Sequence, residues 1–180
     1  MKVYLSFLLL LCCTLTAHAQ LEQGTWLVGG SGSFSKIQND NNTIFTTIHA
    51  NPRIGYFLAD RLTTGIHAMY SYQSNDYSYN GGGIYSHSLF FGVFTRYYLL
   101  KNEHLLNVLT ELSYNYGYTG IDGYYTIMNS GKHGYASVAA GPVLFVNSAI
   151  GIESTISYLY NGSQNHGFKF NLGINVYLLK

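Results

Sequence analysis

Between Ile48 and Tyr72 the side chains alternate residue by residue, and that alternation leaves few folds open. Ile48, Ala50, Pro52, Ile54 and Tyr56 take one face, while Thr47, His49, Asn51, Arg53 and Gly55 take the other. After a break at Leu58-Ala59-Asp60-Arg61 the pattern resumes. Leu62, Thr64, Ile66, Ala68, Tyr70 and Tyr72 oppose Thr63, Gly65, His67, Met69, Ser71 and Gln73. A period of two over this length predicts two antiparallel strands joined by a tight turn. Each arm has the roughly 9–12 residues that a tilted strand needs to cross a bilayer. The stretch is therefore expected to be a transmembrane β-hairpin.

Weaker forms of the same pattern fill the chain and predict eight strands. The first runs from Thr25 to Lys36 and the hairpin supplies the next two. The fourth, Tyr85 to Leu99, sets Leu89, Phe91, Val93, Thr95 and Tyr97 against Ser88, Phe90, Gly92, Phe94 and Arg96. Phe90 and Phe94 interrupt its polar row, which calls for a bulge or a partly filled interior. The fifth, Leu105 to Tyr118, alternates most cleanly, and the sixth, His133 to Phe145, carries Pro142, which blurs its register. A seventh begins at Ile150 and an eighth at Phe168. Polar loops are expected at 37–43, 74–84, 119–132 and 161–166, and short turns elsewhere. Long and short connections thus alternate, as in outer-membrane barrels with long loops outside the cell and short turns in the periplasm.

Composition narrows the class. Charged residues make up 9% of the chain, against roughly a quarter in ordinary soluble domains. Their place is taken by 18 Tyr, 20 Gly and abundant Asn, Ser and Thr. Residues 1–19 read as a signal peptide, with Lys2, an apolar run from Val3 to Leu15 and an Ala17-His18-Ala19 cleavage site. A lipoprotein signal on Cys12 or Cys13 is disfavoured by Leu11, which stands where a small residue belongs. The expected mature domain is 20–180, without cysteine and so without disulfides or thiolate-bound metals. Lys2 leaves with the signal, so the nine basic and eight acidic residues become equal in number. No basic footprint for nucleic acid remains. The mature chain has no apolar run near the ~20 residues of a membrane helix.

Alternation alone does not say which row faces water, since a soluble barrel buries its apolar row. Three features point the apolar rows outward. The polar rows are Ser, Asn, Thr and Gly with few charges, which suits a hydrated lumen better than a solvent-facing surface. Arg53, Arg96, Glu111, Glu153 and Lys169 stand alone within those rows; facing lipid, the basic ones would cost about 2–4 kcal/mol each. Tyr70, Tyr72, Tyr114, Tyr116, Tyr118, Tyr158 and Tyr160 gather at the loop-proximal ends of the apolar rows, where an interfacial girdle belongs.

The signal segment, the eight strands, the hairpin NPRIGYFLADRLTTGI, the RYYLL close of the fourth strand and the final FKFNLGINVYLL resemble the small porin-family outer-membrane β-barrel domain. That group includes the OmpA membrane domain and OmpX-like proteins. The resemblance spans nearly all of the mature chain and is architectural, so it implies a fold and not an activity. It implies an all-β, eight-stranded antiparallel up-and-down transmembrane barrel in the outer membrane of a Gram-negative bacterium. Outer-membrane lipids, including lipopolysaccharide, and the barrel-assembly machinery are the implied partners. Many such barrels end in a terminal aromatic, whereas this chain ends Tyr177-Leu178-Leu179-Lys180, which leaves Tyr177 as the candidate. No cell-wall-binding domain is expected to follow the barrel.

An eight-stranded barrel leaves an interior just wide enough for side chains to fill. Glu111 and Arg96, on adjacent strands, are expected to pair, with Arg53, Glu153 and Lys169 completing an interior polar network beside His49 and His67. This reads as a plug that holds the barrel shut; the competing reading is a lining that selects small permeants. The histidines lack zinc-site spacing and there is no HExxH. A lipid-modifying enzyme needs a Ser/His/acid set at the lipid-facing rim, and the nearest candidates are His87 with Ser88 and His133 with Ser137. Neighbours on a strand point to opposite faces, so the first pair needs a bulge. The Gly29–Gly32 cluster lacks the third glycine and helix of a nucleotide-binding turn. The expected role is non-catalytic, without metal or cofactor: structural or surface-interaction through the extracellular loops. Tyr77, Tyr79, Tyr85, Tyr124 and Tyr125 are the candidate contacts for an extracellular ligand or surface. A narrow channel for small solutes is the alternative.

Overall fold

The computed structural model describes residues 21–38, 44–77, 82–101, 104–123, 131–161 and 165–178. Eight strands follow one another: β1 (Trp26–Gln38), β2 (Ile44–Ala59), β3 (Leu62–Tyr77), β4 (Gly82–Tyr98), β5 (Leu106–Gly123), β6 (Gly131–Phe145), β7 (Ile150–Asn161) and β8 (Asn165–Leu178). Each pairs antiparallel with its sequence neighbours, and β8 returns to β1 to close a barrel. The expected all-β, eight-stranded antiparallel architecture is therefore the one the chain adopts. Residues 1–20, where the signal peptide is expected, lie outside the described residues.

The opening hairpin shows which way the rows point. Ile54 and Ile66, paired across β2 and β3, are 41% and 60% exposed, while the next pair, Arg53 and His67, are 8% and 6% exposed. A one-residue step moves a side chain from outside to inside, as the pleat requires. The same outward exposure of large apolar side chains recurs on every strand, from Val28 and Phe91 to Leu112, Ile156 and Ile174. A continuous apolar exterior of this kind needs lipid, since soluble monomers rarely expose such patches.

The strands are longer at the loop end than the alternation indicated. β3 runs to Tyr77 and β4 starts at Gly82, inside the expected 74–84 loop; β5 runs to Gly123 and β6 starts at Gly131, inside 119–132. Likewise β1 reaches Gln38, β2 starts at Ile44, and β7 and β8 reach Asn161 and Asn165. Past the apolar band a strand still gains backbone pairing, but its outward residues no longer need to be apolar, so the sequence signal fades first. Tyr77 and Tyr85 therefore lie in strands, whereas Tyr79, Tyr124 and Tyr125 lie outside the described residues.

The bulge considered for β4 is absent. Its register holds without a shift from Leu62↔Tyr97 to Tyr77↔Gly82 and from Ile84↔Gly123 to Tyr98↔Leu109. Phe90 and Phe94 instead fill the interior. At the turn end, β2 shifts register between Phe57 and Ala59, and Arg61 takes a positive φ of 65° to complete the Asp60-Arg61 turn. Pro142, which has no N–H to give, interrupts the β6–β7 pairing at 141–142; the ladder resumes in the same register at Val143↔Glu153.

The interior is layered. At the turn end Leu21, Leu27, Phe57, Phe94, Tyr98, Leu109, Val143, Phe145 and Tyr177 form one buried apolar cluster. The segment before β1 is part of it: Leu21 O accepts from Arg61 N at 2.7 Å, and Gly24 N donates to Phe57 O at 3.0 Å. Gln23 N donates to Asp60 Oδ1 at 3.0 Å, tying the segment to the β2–β3 turn. Above the apolar layer sit the charges.

Candidate functional site: the barrel interior

Four strands each bring one charge to the barrel axis: Arg53 from β2, Arg96 from β4, Glu111 from β5 and Glu153 from β7. Arg96 faces Glu111 directly in the β4–β5 register. It donates to Glu111 Oε2 from Nη2 at 2.6 Å and from Nε at 3.0 Å. Its other edge reaches Glu153, with Nη1 at 2.6 Å from Oε2 and Nη2 at 3.3 Å from Oε1. Arg53 Nη1 lies 3.0 Å from Glu111 Oε2 and 3.4 Å from Glu153 Oε1. Each carboxylate is thus held by both guanidiniums, and the four charges sum to zero. Such pairing is what a low-dielectric interior demands, because any one of these groups buried alone would be very costly.

The surroundings satisfy what the ion pairs leave. Asn175 Nδ2 donates to Glu153 Oε2 at 2.7 Å. Arg96 Nη1 also reaches Tyr98 OH at 3.3 Å, and Tyr98 and Tyr177 share a hydroxyl hydrogen bond of 3.0 Å. The guanidinium carbons of Arg53 and Arg96 lie 5.7 and 5.9 Å from the centroid of the Phe94 ring. That ring therefore carries cation–π contact from both arginines. The residue that seemed to spoil the polar row of β4 is the floor under the charges.

Of the seven sequence-selected interior residues, four form the ion cluster and three do not. His67 lies beside it, stacked on Phe94 at 5.8 Å and 4° between planes and hydrogen-bonded through its Nε2 position to Asn115 Oδ1. Asn115 Nδ2 donates in turn to Ser113 Oγ, which shares a 2.7 Å bond with Ser137 Oγ. Gly92 makes this possible, since a Cβ there would overlap both Asn115 Oδ1 and His67 Nε2. Lys169 and His49 stand higher, towards the loop end, around a cavity of about 390 Å³. Neither is bonded to the four charges.

Sequence reasoning missed the apolar layer below the charges. Its members fall on the inward rows, where the alternation led us to expect polar residues. Tyr177, the candidate terminal aromatic, points into this layer and packs against Phe145 at 5.3 Å and Phe57 at 6.2 Å. The available signal was the cluster of apolar residues on both faces near the short turns: Leu27, Phe57, Leu109, Val143 and Phe145.

The catalytic candidates are not assembled. His87 and Ser88 are neighbours on an unbulged strand and so face opposite sides of the wall. Ser88 Oγ shares a 3.0 Å bond with Thr119 Oγ1. His133 and Ser137 share the inward row of β6 but are four residues, about 13 Å, apart, and Ser137 is engaged by Ser113. Among the described residues no group of three His, Cys, Asp or Glu side chains gathers to hold a metal.

No family model matches the sequence, and no curated protein does. Solved structures do. The outer membrane protein OprG from Pseudomonas aeruginosa is 12% identical and superposes with a TM-score of 0.62, over 88% of this chain and 98% of that one. The N-terminal β-barrel domain of Pseudomonas aeruginosa OprF is 12% identical with a TM-score of 0.59, covering 87% of this chain and 98% of its own. The fold is that of the small outer-membrane β-barrels. Neisserial surface protein A shares it as well, at 14% identity and a TM-score of 0.57 over 86% of this chain and 99% of that one. In an outer-membrane barrel the short turns are periplasmic and the long hairpins extracellular. The apolar layer fills the short-turn end of the barrel, and the ion cluster lies next to it on the loop side.

Proposed function

We propose that this protein is a non-catalytic outer-membrane barrel with a sealed lumen. It would reach the outer membrane after loss of residues 1–19, stand among lipopolysaccharide and phospholipid after insertion by the barrel-assembly machinery, and act structurally or through its extracellular hairpins. One observation carries the reading. Two arginines and two glutamates interlock across the lumen, directly above an apolar layer in which Phe57, Tyr98 and Tyr177 are buried. A permeating solute would have to break both. The opposing charges are in direct contact at 2.6–3.4 Å. What remains available to partners is the extracellular face, where paired strands run past the aromatic girdle.

Liposome swelling tests the reading. Vesicles holding the folded protein should swell in isosmotic arabinose or glycine no faster than vesicles without it. Swelling that scales with protein content and falls with solute size would instead establish the narrow channel.

A further inference from the structure

The first and last strands are hydrogen-bonded only along part of their length. Pairs run from Trp26↔Leu178 to Ser31↔Gly173 and then stop. The same register would set Gly32 against Leu172, Ser33 against Asn171 and Phe34 against Phe170. Both strands continue past this point, β1 against β2 up to Gln38 and β8 against β7 down to Asn165. They diverge, therefore, and do not end. Five residues above Trp26 correspond to about 13 Å along the membrane normal for a strand tilted by roughly 40°. The apolar band of an outer-membrane barrel is about 25 Å tall, so the slit opens near its middle and faces the outer leaflet. Its rims are strand edges, and backbone N–H and C=O groups turned towards hydrocarbon are costly without polar partners.

Behind the slit lies the 390 Å³ cavity, lined on the lumen side by Ser33, His49, Ser71, Tyr135, Lys169 and Asn171. The same cavity is also bordered by Gly32, Ala50, Phe170 and Leu172 of the outward rows, so it reaches the wall at the slit. Outside it meets a groove of about 590 Å³ that runs over Gly30, Pro52, Ile152, Leu172 and Ile174. Ser31, Gly32, Ala50, Asn51 and Leu172 border both. Gly30 and Gly32 take outward positions that hold large apolar side chains elsewhere, and their missing side chains shape the groove. The cavity is cationic. Arg53 and Arg96 are matched by Glu111 and Glu153, but among the described residues Lys169 has neither a carboxylate nor a hydrogen-bond partner.

We infer that the slit between upper β1 and β8 is a binding site for a single-chain amphiphile with an anionic head group. The acyl chain lies in the outer groove. The head passes between the strands to Lys169, with His49, Ser33 and Asn171 within the same cavity to hydrogen-bond it. A carboxylate head and a phosphate head share this chemistry, so either a free fatty acid or a lysophospholipid would satisfy it. The site is independent of whether the lumen below conducts.

Equilibrium binding to the folded protein in neutral-detergent micelles tests the site, using radiolabelled palmitate, 1-palmitoyl lysophosphatidate and hexadecanol. Palmitate or lysophosphatidate should bind saturably at about one molecule per barrel, the tighter of the two identifying the head group, with hexadecanol roughly tenfold weaker. Lys169→Gln should weaken both anions by roughly tenfold and leave hexadecanol unchanged, while Lys169→Arg should retain them. Gly32→Phe should weaken all three by filling the groove; a Cβ is accommodated there, its nearest neighbour being His49 O at 3.4 Å. Heat-dependent gel mobility shows whether each variant has folded. Binding that does not saturate overturns the site, as does wild-type affinity in either folded Lys169→Gln or folded Gly32→Phe.

Discussion

Two single residues set the energetics of the interior. Glu111 contacts both arginines, and replacing it with glutamine leaves a net positive charge in a buried layer. Glu111→Gln should cost about 3–5 kcal/mol, the usual penalty for removing one partner of a buried pair. Denaturant unfolding from lipid vesicles measures it, and a loss under 1 kcal/mol would mean that water reaches the cluster. Gly92 is the second. Gly92→Ala drives a methyl into the His67–Asn115 contact and should destabilise by about 1–3 kcal/mol, the range for overpacking, read in the same assay. The participants were visible in the sequence as lone charges in otherwise uncharged rows. Their grouping was only partly visible, because alternation reports the face of a residue and not its height along the barrel. Lys169 shares a face with Glu153's neighbours yet stands a layer above the cluster, and nothing in the local pattern records that offset.

At the scale of strands, the pattern was legible where lipid enforces it and faded where it does not. Most outward apolar rows were readable, since each is under the same pressure to stay apolar. That of β6 was not, because both its rows are small and apolar and it carries Pro142. A charge placed on an outward row should behave accordingly: Ile66→Arg should cost about 2–4 kcal/mol near the bilayer midplane. An arginine at an outward loop-end position such as Phe168, which is fully on the outer face, should cost far less, and equal costs at both depths would place the membrane wrongly. The upper strand ends escaped notice because backbone pairing alone maintains them. The interior floor escaped for a different reason. Near the short turns both rows become apolar, so the period-two signal cancels while the strand persists. Phe57, which packs on Tyr98 at 5.8 Å, reports on that floor, and Phe57→Ala should cost about 3–5 kcal/mol. A neutral result in vesicle unfolding would show that the floor is not packed.

Taken as a whole, the barrel is built in strata. An apolar floor fills the short-turn end, a neutral cluster of four charges lies on it, and a polar cavity opens towards the loop end. The fold was accessible from sequence because lone charges within the polar rows and tyrosines at the ends of the apolar rows turn the apolar faces of eight alternating strands outward. The plug was accessible as a principle, since so narrow an interior must be filled. Its composition, half apolar and half ionic, was not. Nothing in a strand's own residues specifies which partners meet across the axis. Single-channel recording in planar bilayers tests the central claim most directly. The wild-type barrel should add no steady conductance above that of the bare bilayer across the working voltage range; reproducible ohmic openings from homogeneous, folded protein would contradict a sealed lumen.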